Sequence, residues 1–250
     1  MLKQTPKLPA LNKKLSLGFA SVLMFGIAAM IPAHAQIKIG FQAPLTGPSA
    51  TDGKSAQIAA TMAVEDINTA GGVLGQKIEL VTYDDQAKSD QAIFTANKLI
   101  GEDGVKLVVN GSYSASGRAA APVFQKAGVV MISAYGVHPD ITRAGDYMFR
   151  LVHLGPPQGA ATALYIGKTL GIKKISTITM DNDYGQATMD GFLEAAGKYG
   201  IEVLNKYSYS LKDRQFGSIV ASVKRDNPKA VYVTGYFFTG APLEIGRAHV

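Results

Sequence analysis

From Gln36 onward the sequence alternates short apolar runs with segments of helical period, and few folds tolerate that rhythm. Parallel strands cannot be joined by tight hairpins and need helical crossovers, so the alternation argues for parallel sheets covered by helices on both faces. The predicted strands of a first series are residues 37–42, 78–83, 105–109 and 129–133, near-continuously apolar as strands buried on both faces should be. Between them Ala60, Ala63, Val64 and Ile67 fall at i, i+3, i+4, i+7. Ala92, Ala96 and Leu99, with Ile93 and Ile100, make a second stripe, and both are expected to pack on a sheet. Gly71-Gly72, Gly101 and Gly128 follow three helices where a left-handed residue can end each one.

This first series is expected to be complete by about Ser133, after which the rhythm breaks through Tyr135, Gly136, Pro139 and Gly145 to the apolar run 147–151. Pro156-Pro157 closes that stretch, and a second series begins. It reads as a helix near 158–170, a strand at 175–180, a helix near 186–199 and a strand at 201–207. Phe216, Ile219, Val220 and Val223 form the next helical face, ahead of a strand at 230–236. The expected organisation is two α/β lobes, 36–150 and 151–250, joined across residues 147–155.

Residues 1–35 read differently. Lys3, Lys7, Lys13 and Lys14 precede an apolar run over residues 15–31 and then Ala33-His34-Ala35, the three-part pattern of a secretory signal peptide cleaved after Ala35. A membrane anchor would need roughly 20 clean apolar residues, and Gly18, Ser21, Gly26 and Pro32 interrupt this run. The 250 residues contain no cysteine, which excludes a thiol-linked lipid anchor, a disulfide framework and a Cys-based zinc site. The net charge of +6 also shrinks, since residues 1–35 hold four lysines and no acid, leaving 21 basic against 19 acidic residues. No basic run longer than Lys173-Lys174 or Lys224-Arg225 remains, so no nucleic-acid surface is expected.

In doubly wound sheets ligands sit outside the carboxyl ends of the strands. The loop Asn110-Gly-Ser-Tyr-Ser-Ala-Ser-Gly117, which contains Ser114 and Ala115, is small, hydroxyl-rich and placed before a helix. It can offer backbone N–H groups, a positive helix end and hydroxyls to a carboxylate, or Ser114 or Ser116 can simply cap the helix. Tyr135, Tyr184 and Tyr236 each follow a predicted strand, where a ring can cover a ligand's apolar part and its hydroxyl can bond a polar part. No nucleophile elbow, dinucleotide fingerprint or P-loop occurs, and His138, His153 and His249 form no metal-ligand pair. Asp181-Asn182-Asp183 lacks the alternating ligands of a calcium loop and reads as polar residues closing a strand. Neither enzyme chemistry nor a cofactor is expected.

An ordered set of short motifs then carries a resemblance. It comprises Ile37-Lys-Ile-Gly-Phe with Pro44-Leu-Thr-Gly-Pro48, Ala63-Val-Glu-Asp-Ile-Asn68 with Ala70-Gly-Gly-Val-Leu-Gly75, and Tyr83-Asp-Asp85. Asn97-Lys-Leu-Ile100, Met131-Ile-Ser133, residues 139–142, Met148-Phe-Arg150 and Asp181-Asn-Asp-Tyr-Gly185 follow in order. From Gln36 to about Thr239 the chain resembles the branched-chain amino-acid binding family of type I periplasmic binding proteins. The resemblance implies a two-lobed fold, each lobe a doubly wound parallel sheet with helices on both faces. It implies the solute-binding component of an ABC importer, a monomer that closes on a small polar solute and delivers it to an inner-membrane permease.

Position by position, the resemblance places Ser114 at a hydroxyl that binds the ligand's carboxylate and Gly136 at a residue whose backbone meets an ammonium. Tyr184 and Tyr236 match ligand-facing residues of the second lobe. Val137 stands where amino-acid binders usually have Thr, and Asp52 where an aromatic often covers the ligand; both departures put leucine, isoleucine or valine in doubt. Such proteins are considerably longer, and the segment from Glu244 to Val250 departs from the family pattern, so a truncated or artefactually terminated chain is expected. A ligand-sensing domain of a receptor or regulator built on the same fold is the competing reading.

Overall fold

The computed structural model describes residues 36–248, with side chains described as far as Glu244. The expected signal peptide at 1–35 and the segment after Glu244 that departs from the family lie outside the described side chains. Eight strands are present among the described residues. β1 (Ile37–Ala43), β2 (Ile78–Asp84), β3 (Leu107–Asn110), β4 (Val130–Ser133) and β5 (Met148–Arg150) form one sheet in the order β2-β1-β3-β4-β5. β6 (Lys174–Met180), β7 (Glu202–Tyr209) and β8 (Ala230–Thr234) form a second in the order β7-β6-β8. Every pairing is parallel.

Alternation along β1 shows how the first sheet is wrapped. A Cβ on Gly40 would meet Leu99 and Val108, whereas Phe41, pointing the other way and fully buried, sits with Ala56 around Gly111. Leu99 belongs to α2 (Ser89–Gly101), which shares one face with α3 (Ser114–Lys126) and α4 (Asp140–Arg143). Ala56 belongs to α1 (Ala50–Thr69), on the opposite face. The core beneath α2 and α3 is dense, with Ala92, Leu99, Val108, Phe124 and Met131 all wholly buried.

The second sheet repeats the design with a local adjustment. Ile175 of β6 packs under α5 (Gly155–Leu164) and α6 (Asp183–Ala196), while Ile178 and Met180 face α7 (Gly217–Asp226) and α8 (Phe237–Ala248). On β7, Val203 lies on the first of these faces but Tyr207 and Tyr209 lie on the second, although all three are odd-numbered. The register explains this: Ile175 pairs with Val203 and Thr177 with Lys206, so β7 carries one extra residue that flips the alternation.

Several boundaries differ from the expectation. The first series does not end at Ser133, because residues 148–150 add a fifth strand at the sheet edge. Pro156-Pro157 opens α5 rather than closing the preceding stretch, since proline at the first helical positions gives up only N–H groups that would be unpaired anyway. α5 then continues as a π-helical turn over Tyr165–Thr169. Gly101 remains helical, and Gly104 supplies the left-handed turn with φ +67°. The stripe on α1 packs less than expected: Ala60 and Val64 are half-buried, but Ala63 and Ile67 are exposed, because α1 covers only β1 and β2 and no further layer reaches its outer side among the described residues.

α5 and α6 cross at the closest approach of the second lobe. A Cβ on Gly159 would sit 2.0 Å from Thr188 O, and one on Gly191 would sit 2.1 Å from Pro156 O. These contacts fix the start of α6, which carries Asp183 and Tyr184, against the chain segment joining the two sheets. Gly159→Ala is therefore expected to destabilise the fold by about 1–3 kcal/mol, the usual cost of overpacking, and to lower the melting midpoint by roughly 2–4 °C per kcal/mol. Calorimetric melting of the variant checks this, and an unchanged midpoint would show that the crossing can relax.

Candidate functional site

The order β2-β1-β3-β4-β5 places a topological switch between β1 and β3, where the outgoing loops part and leave a crevice. The second sheet has the equivalent switch between β6 and β8. The segments leaving β3 and β4 in one sheet, and β6 and β8 in the other, converge on one cavity of about 170 Å³ walled by Tyr113, Ser114, Tyr135, Tyr184 and Tyr236.

On the first-sheet side a buried amide network supports the wall. Gln42 Nε2 donates to Ala92 O at 2.6 Å and to Thr95 Oγ1 at 2.5 Å, and Gln42 Oε1 accepts from Asn110 Nδ2 at 2.9 Å. This holds Asn110 at the end of β3 and so sets where α3 begins. α3 starts at Ser114 with Tyr113 before it and no side chain capping it. Ser114 and Ser116 lie inside the helix, so capping by either is not what their hydroxyls do. Ser114 Oγ instead accepts from Val137 N at 3.1 Å. Gly136 N donates to Ser133 Oγ at 3.1 Å, and Gly136 O accepts from Arg150 Nη1 at 3.0 Å. Arg150 also bonds His138 O at 2.9 Å, so one guanidinium pins the whole loop after β4. Any side chain on Gly136 would collide with Ile141 at 2.4 Å, which explains the glycine by packing.

On the second-sheet side, Asn182 Oδ1 accepts from Gly185 N at 2.8 Å and caps α6, so Tyr184 stands in a first helical turn rather than in a loop. Tyr236 follows Gly235, where a Cβ would fall 2.1 Å from the Tyr209 hydroxyl. That hydroxyl meets Thr239 Oγ1 at 2.9 Å, and Thr239 in turn bonds Tyr236 O at 2.9 Å. The rings then meet between the sheets. Tyr113 and Tyr236 stack with centroids 4.3 Å apart and planes 18° apart, and Tyr184 and Tyr236 stack at 5.3 Å and 18°.

The wall is electrically neutral. Burial, then the Asp52 carboxylate that accepts its hydroxyl, pushes the Tyr113 phenol far up. Burial, then the Tyr113 phenol, does the same for Tyr236. Charge is kept at the periphery: Arg118 Nη1 of α3 pairs with Asp183 Oδ1 of α6 at 3.0 Å, bridging the two sheets, and Arg118 Nε lies 3.6 Å from Asp140. A larger hollow of about 910 Å³, with Val220, Val231, Val233 and Leu243 in its walls, runs along β8, the edge strand among the described residues. It faces one sheet only.

Of the residues singled out from the sequence, Ser114, Tyr135, Tyr184 and Tyr236 stand in the cavity wall. Val137 acts on it through its backbone N–H, Gly136 lies behind Ser114, Ala115 follows it on α3, and Asp52 reaches the wall through Tyr113. Sequence reasoning missed Tyr113 as an aromatic of the wall and Arg118 as a bridge. Tyr113 had the same signal as the other rings, a tyrosine just past a strand.

Comparison with known proteins agrees with this architecture. A family model described as "Periplasmic binding protein" matches residues 36–243. A "Leu/Ile/Val-binding protein homolog 3" of Brucella melitensis is 34% identical over 93% of this chain and 63% of its own length. The "Leucine-, isoleucine-, valine-, threonine-, and alanine-binding protein" of Pseudomonas aeruginosa is 33% identical over 90% of this chain and 60% of its own. Among solved structures, the branched-chain amino-acid transporter substrate-binding protein of Streptococcus pneumoniae, in complex with isoleucine, superposes with a TM-score of 0.80. It is 28% identical and covers 86% of this chain and 61% of its own. A solute-binding protein of an ABC transporter from Rhodopseudomonas palustris BisB5, in complex with 3,4-dihydroxybenzoic acid, has a TM-score of 0.78 at 26% identity, covering 86% of this chain and 58% of its own. Two parallel sheets meeting at their carboxyl ends define the class: type I periplasmic binding proteins. Within it, the chain belongs to the branched-chain amino-acid binding family, and it spans about 60% of the length of the relatives it matches.

Beneath the wall, Asp85 is wholly buried beside Ser112; its Oδ1 accepts from Ala87 N at 2.9 Å and its Oδ2 has no partner. Burial raises its carboxyl from 3.8 to about 6, against the pull of Ser112 and the Ala87 amide. The folded chain thus binds a proton that the unfolded chain has released, so Asp85 lowers stability as pH rises from about 4 through 6. Asp85→Asn is expected to gain stability relative to the parent across that window, by an amount on the order of 3 kcal/mol for two pKa units. Urea melts of both proteins at the two ends of the window check it; a pH-independent difference would show that the carboxyl is solvated.

Proposed function

We propose that the protein is exported, cleaved after Ala35, and captures a small solute bearing a carboxylate between lobes 36–150 and 151–250 for delivery to an inner-membrane ABC permease. The observation that carries this is one cavity built from both sheets, with Ser114, Tyr113 and Tyr135 from the first and Tyr184 and Tyr236 from the second. Val137 N now donates to Ser114 Oγ. A carboxylate oxygen arriving there could accept both the Ser114 O–H and the Val137 N–H, at the positive end of the uncapped α3. Amide, hydroxyl and helix end would each bond an anion with no rearrangement of the main chain.

Closure follows from where the other wall sits. Tyr184 and Tyr236 belong to the second sheet, so a solute on Ser114 touches them only when the lobes are together, and the Arg118–Asp183 pair forms in the same motion. An exposed pair of this kind contributes about 0–1 kcal/mol, enough to bias closure without preventing release. Of the relatives named above, three are named for or solved with amino acids and one is solved with an aromatic acid, which supports a carboxylate as the shared handle. The near balance of 21 basic and 19 acidic residues after Ala35 supports a carrier with no nucleic-acid partner.

A hydrogen bond from Ser114 to a charged group is worth roughly 1.5–3 kcal/mol. Ser114→Ala in the natural gene product is therefore expected to weaken solute binding about ten- to a hundredfold and, by stranding the buried Val137 N–H, to lower unliganded stability by about 1–3 kcal/mol. Calorimetric titration reads the first and thermal melting the second; normal binding by the variant would remove the anion cradle from the mechanism.

A further inference from the structure

A buried acid stands behind the Ser114 site. Asp85 follows β2 and Ser112 follows β3, and neither side chain has any exposed surface. Asp85 Oδ1 accepts from Ala87 N at 2.9 Å. Ser112 lies beside the carboxyl, yet neither Asp85 Oδ2 nor Ser112 Oγ has a partner in hydrogen-bond geometry. Two residues further on, Ser114 opens α3 and its hydroxyl meets Val137 N, where the reading above seats the solute's carboxylate. Two residues of chain span at most roughly 7 Å, so the acid stands within about 10 Å of that seat. We propose, resting on that reading of the site, that capture of a carboxylate at Ser114 is linked to uptake of a proton from solvent by Asp85.

Two carboxylates in one water-poor region repel, so seating the solute's favours the protonated form of the protein's. Asp85 has little with which to offset a charge, since its one hydrogen bond comes from the Ala87 amide. The neutral acid leaves no buried charge and lets Oδ2 donate toward Ser112 Oγ. Burial already lifts the carboxyl to about 6, with Ser112 and the Ala87 amide pulling against that rise and Asp84 adding to it. The charged groups of the surrounding elements do not counter the effect. Asp84 of β2 accepts from Leu45 N, Thr46 Oγ1 and Gln86 N. Beside the start of α2, Lys88 Nζ turns to Gln86 Oε1 at 2.9 Å and Asp90 is exposed. Asp52 of α1 holds the Tyr113 hydroxyl, and α3 has no acid in its first turn. Among the described residues no cation pairs with Asp85, and the carboxyl is already wholly enclosed by them.

The test uses the natural gene product, freed of bound solute by unfolding and refolding. It is titrated calorimetrically with isoleucine and with 3,4-dihydroxybenzoate, the solutes of two solved relatives. Both carboxylates stay ionised above pH 5, so they add no titration of their own. Affinity should be highest at pH 5 and fall about five- to tenfold by pH 7.5, the effect of two like charges at that separation. At pH 6.5, titrations in buffers of different ionisation enthalpy should show uptake of roughly half a proton per solute bound. Asp85→Asn keeps an acceptor for Ala87 N and gives Ser112 Oγ a permanent donor. It should bind at every pH with the affinity the parent reaches at pH 5, and take up no proton. A flat affinity in the parent, or the same slope and uptake in Asp85→Asn, overturns the linkage and leaves solute capture standing. If neither solute binds, and no small acid in a thermal-shift screen at pH 5 stabilises the folded protein, solute capture falls and the linkage with it.

Discussion

Every strand in both sheets runs parallel to its neighbours, and that constraint decides where this protein can do anything. A parallel sheet is connected by crossovers, so all strands deliver their following segments to the same edge. Where the order of crossovers reverses, between β1 and β3 and again between β6 and β8, those segments part and leave space. Two such edges facing each other give a cavity that neither sheet possesses alone. The residues that fill it, Tyr113, Ser114, Tyr135, Tyr184 and Tyr236, come from four strand ends spread over more than a hundred positions of sequence.

The contacts joining the two edges differ in kind. The stack of Tyr113 on Tyr236 joins two uncharged phenols, so physiological changes of pH do not touch it. The Arg118–Asp183 pair is partly solvated, with 47% of the arginine side chain and 25% of the aspartate side chain exposed, and salt will weaken it. Rings therefore fix how the two sheet edges meet, while the ion pair adds a salt-sensitive contact beside them. Behind both, buried polar groups do the positioning. Gln42 with Asn110 holds the end of β3, and Arg150 with the carbonyls of Gly136 and His138 holds the loop after β4. Losing one partner from such a network strands the other, at about 1–3 kcal/mol per buried group, which makes these anchors more costly to change than the cavity residues themselves.

Much of this was legible in residue order. Strands of four to eight apolar residues and helical stripes such as Ala92, Ala96 and Leu99 read true, because burial against a sheet demands that periodicity whatever the partner. Other features were not legible. Residues 148–150 are too short to announce a strand, and they become one only because β4 presents a free edge for them to pair with. Pro156-Pro157 signals the end of one element and the start of another equally well. The extra residue on β7 leaves no mark in composition, yet it decides which face Tyr207 and Tyr209 occupy.

The sequence by itself determined the fold class, the parallel sense of the sheets and the candidate residues past the strands, since these follow from local propensity and periodicity, which do not depend on distant neighbours. Only the tertiary structure decided which contacts those candidates make. Ser114 and Ser116 could be read as anion-binding hydroxyls or as caps, and the placement of α3 against the loop after β4 gives the Ser114 hydroxyl to Val137 N. Asp52 looked like a replacement for a covering ring, and the fold turns it toward the Tyr113 hydroxyl. Tyr113 lies 71 positions from Tyr184 and 123 from Tyr236, and no local rule could stack them. Their contact is set by the relative placement of two sheets, which emerges from packing summed over the whole chain.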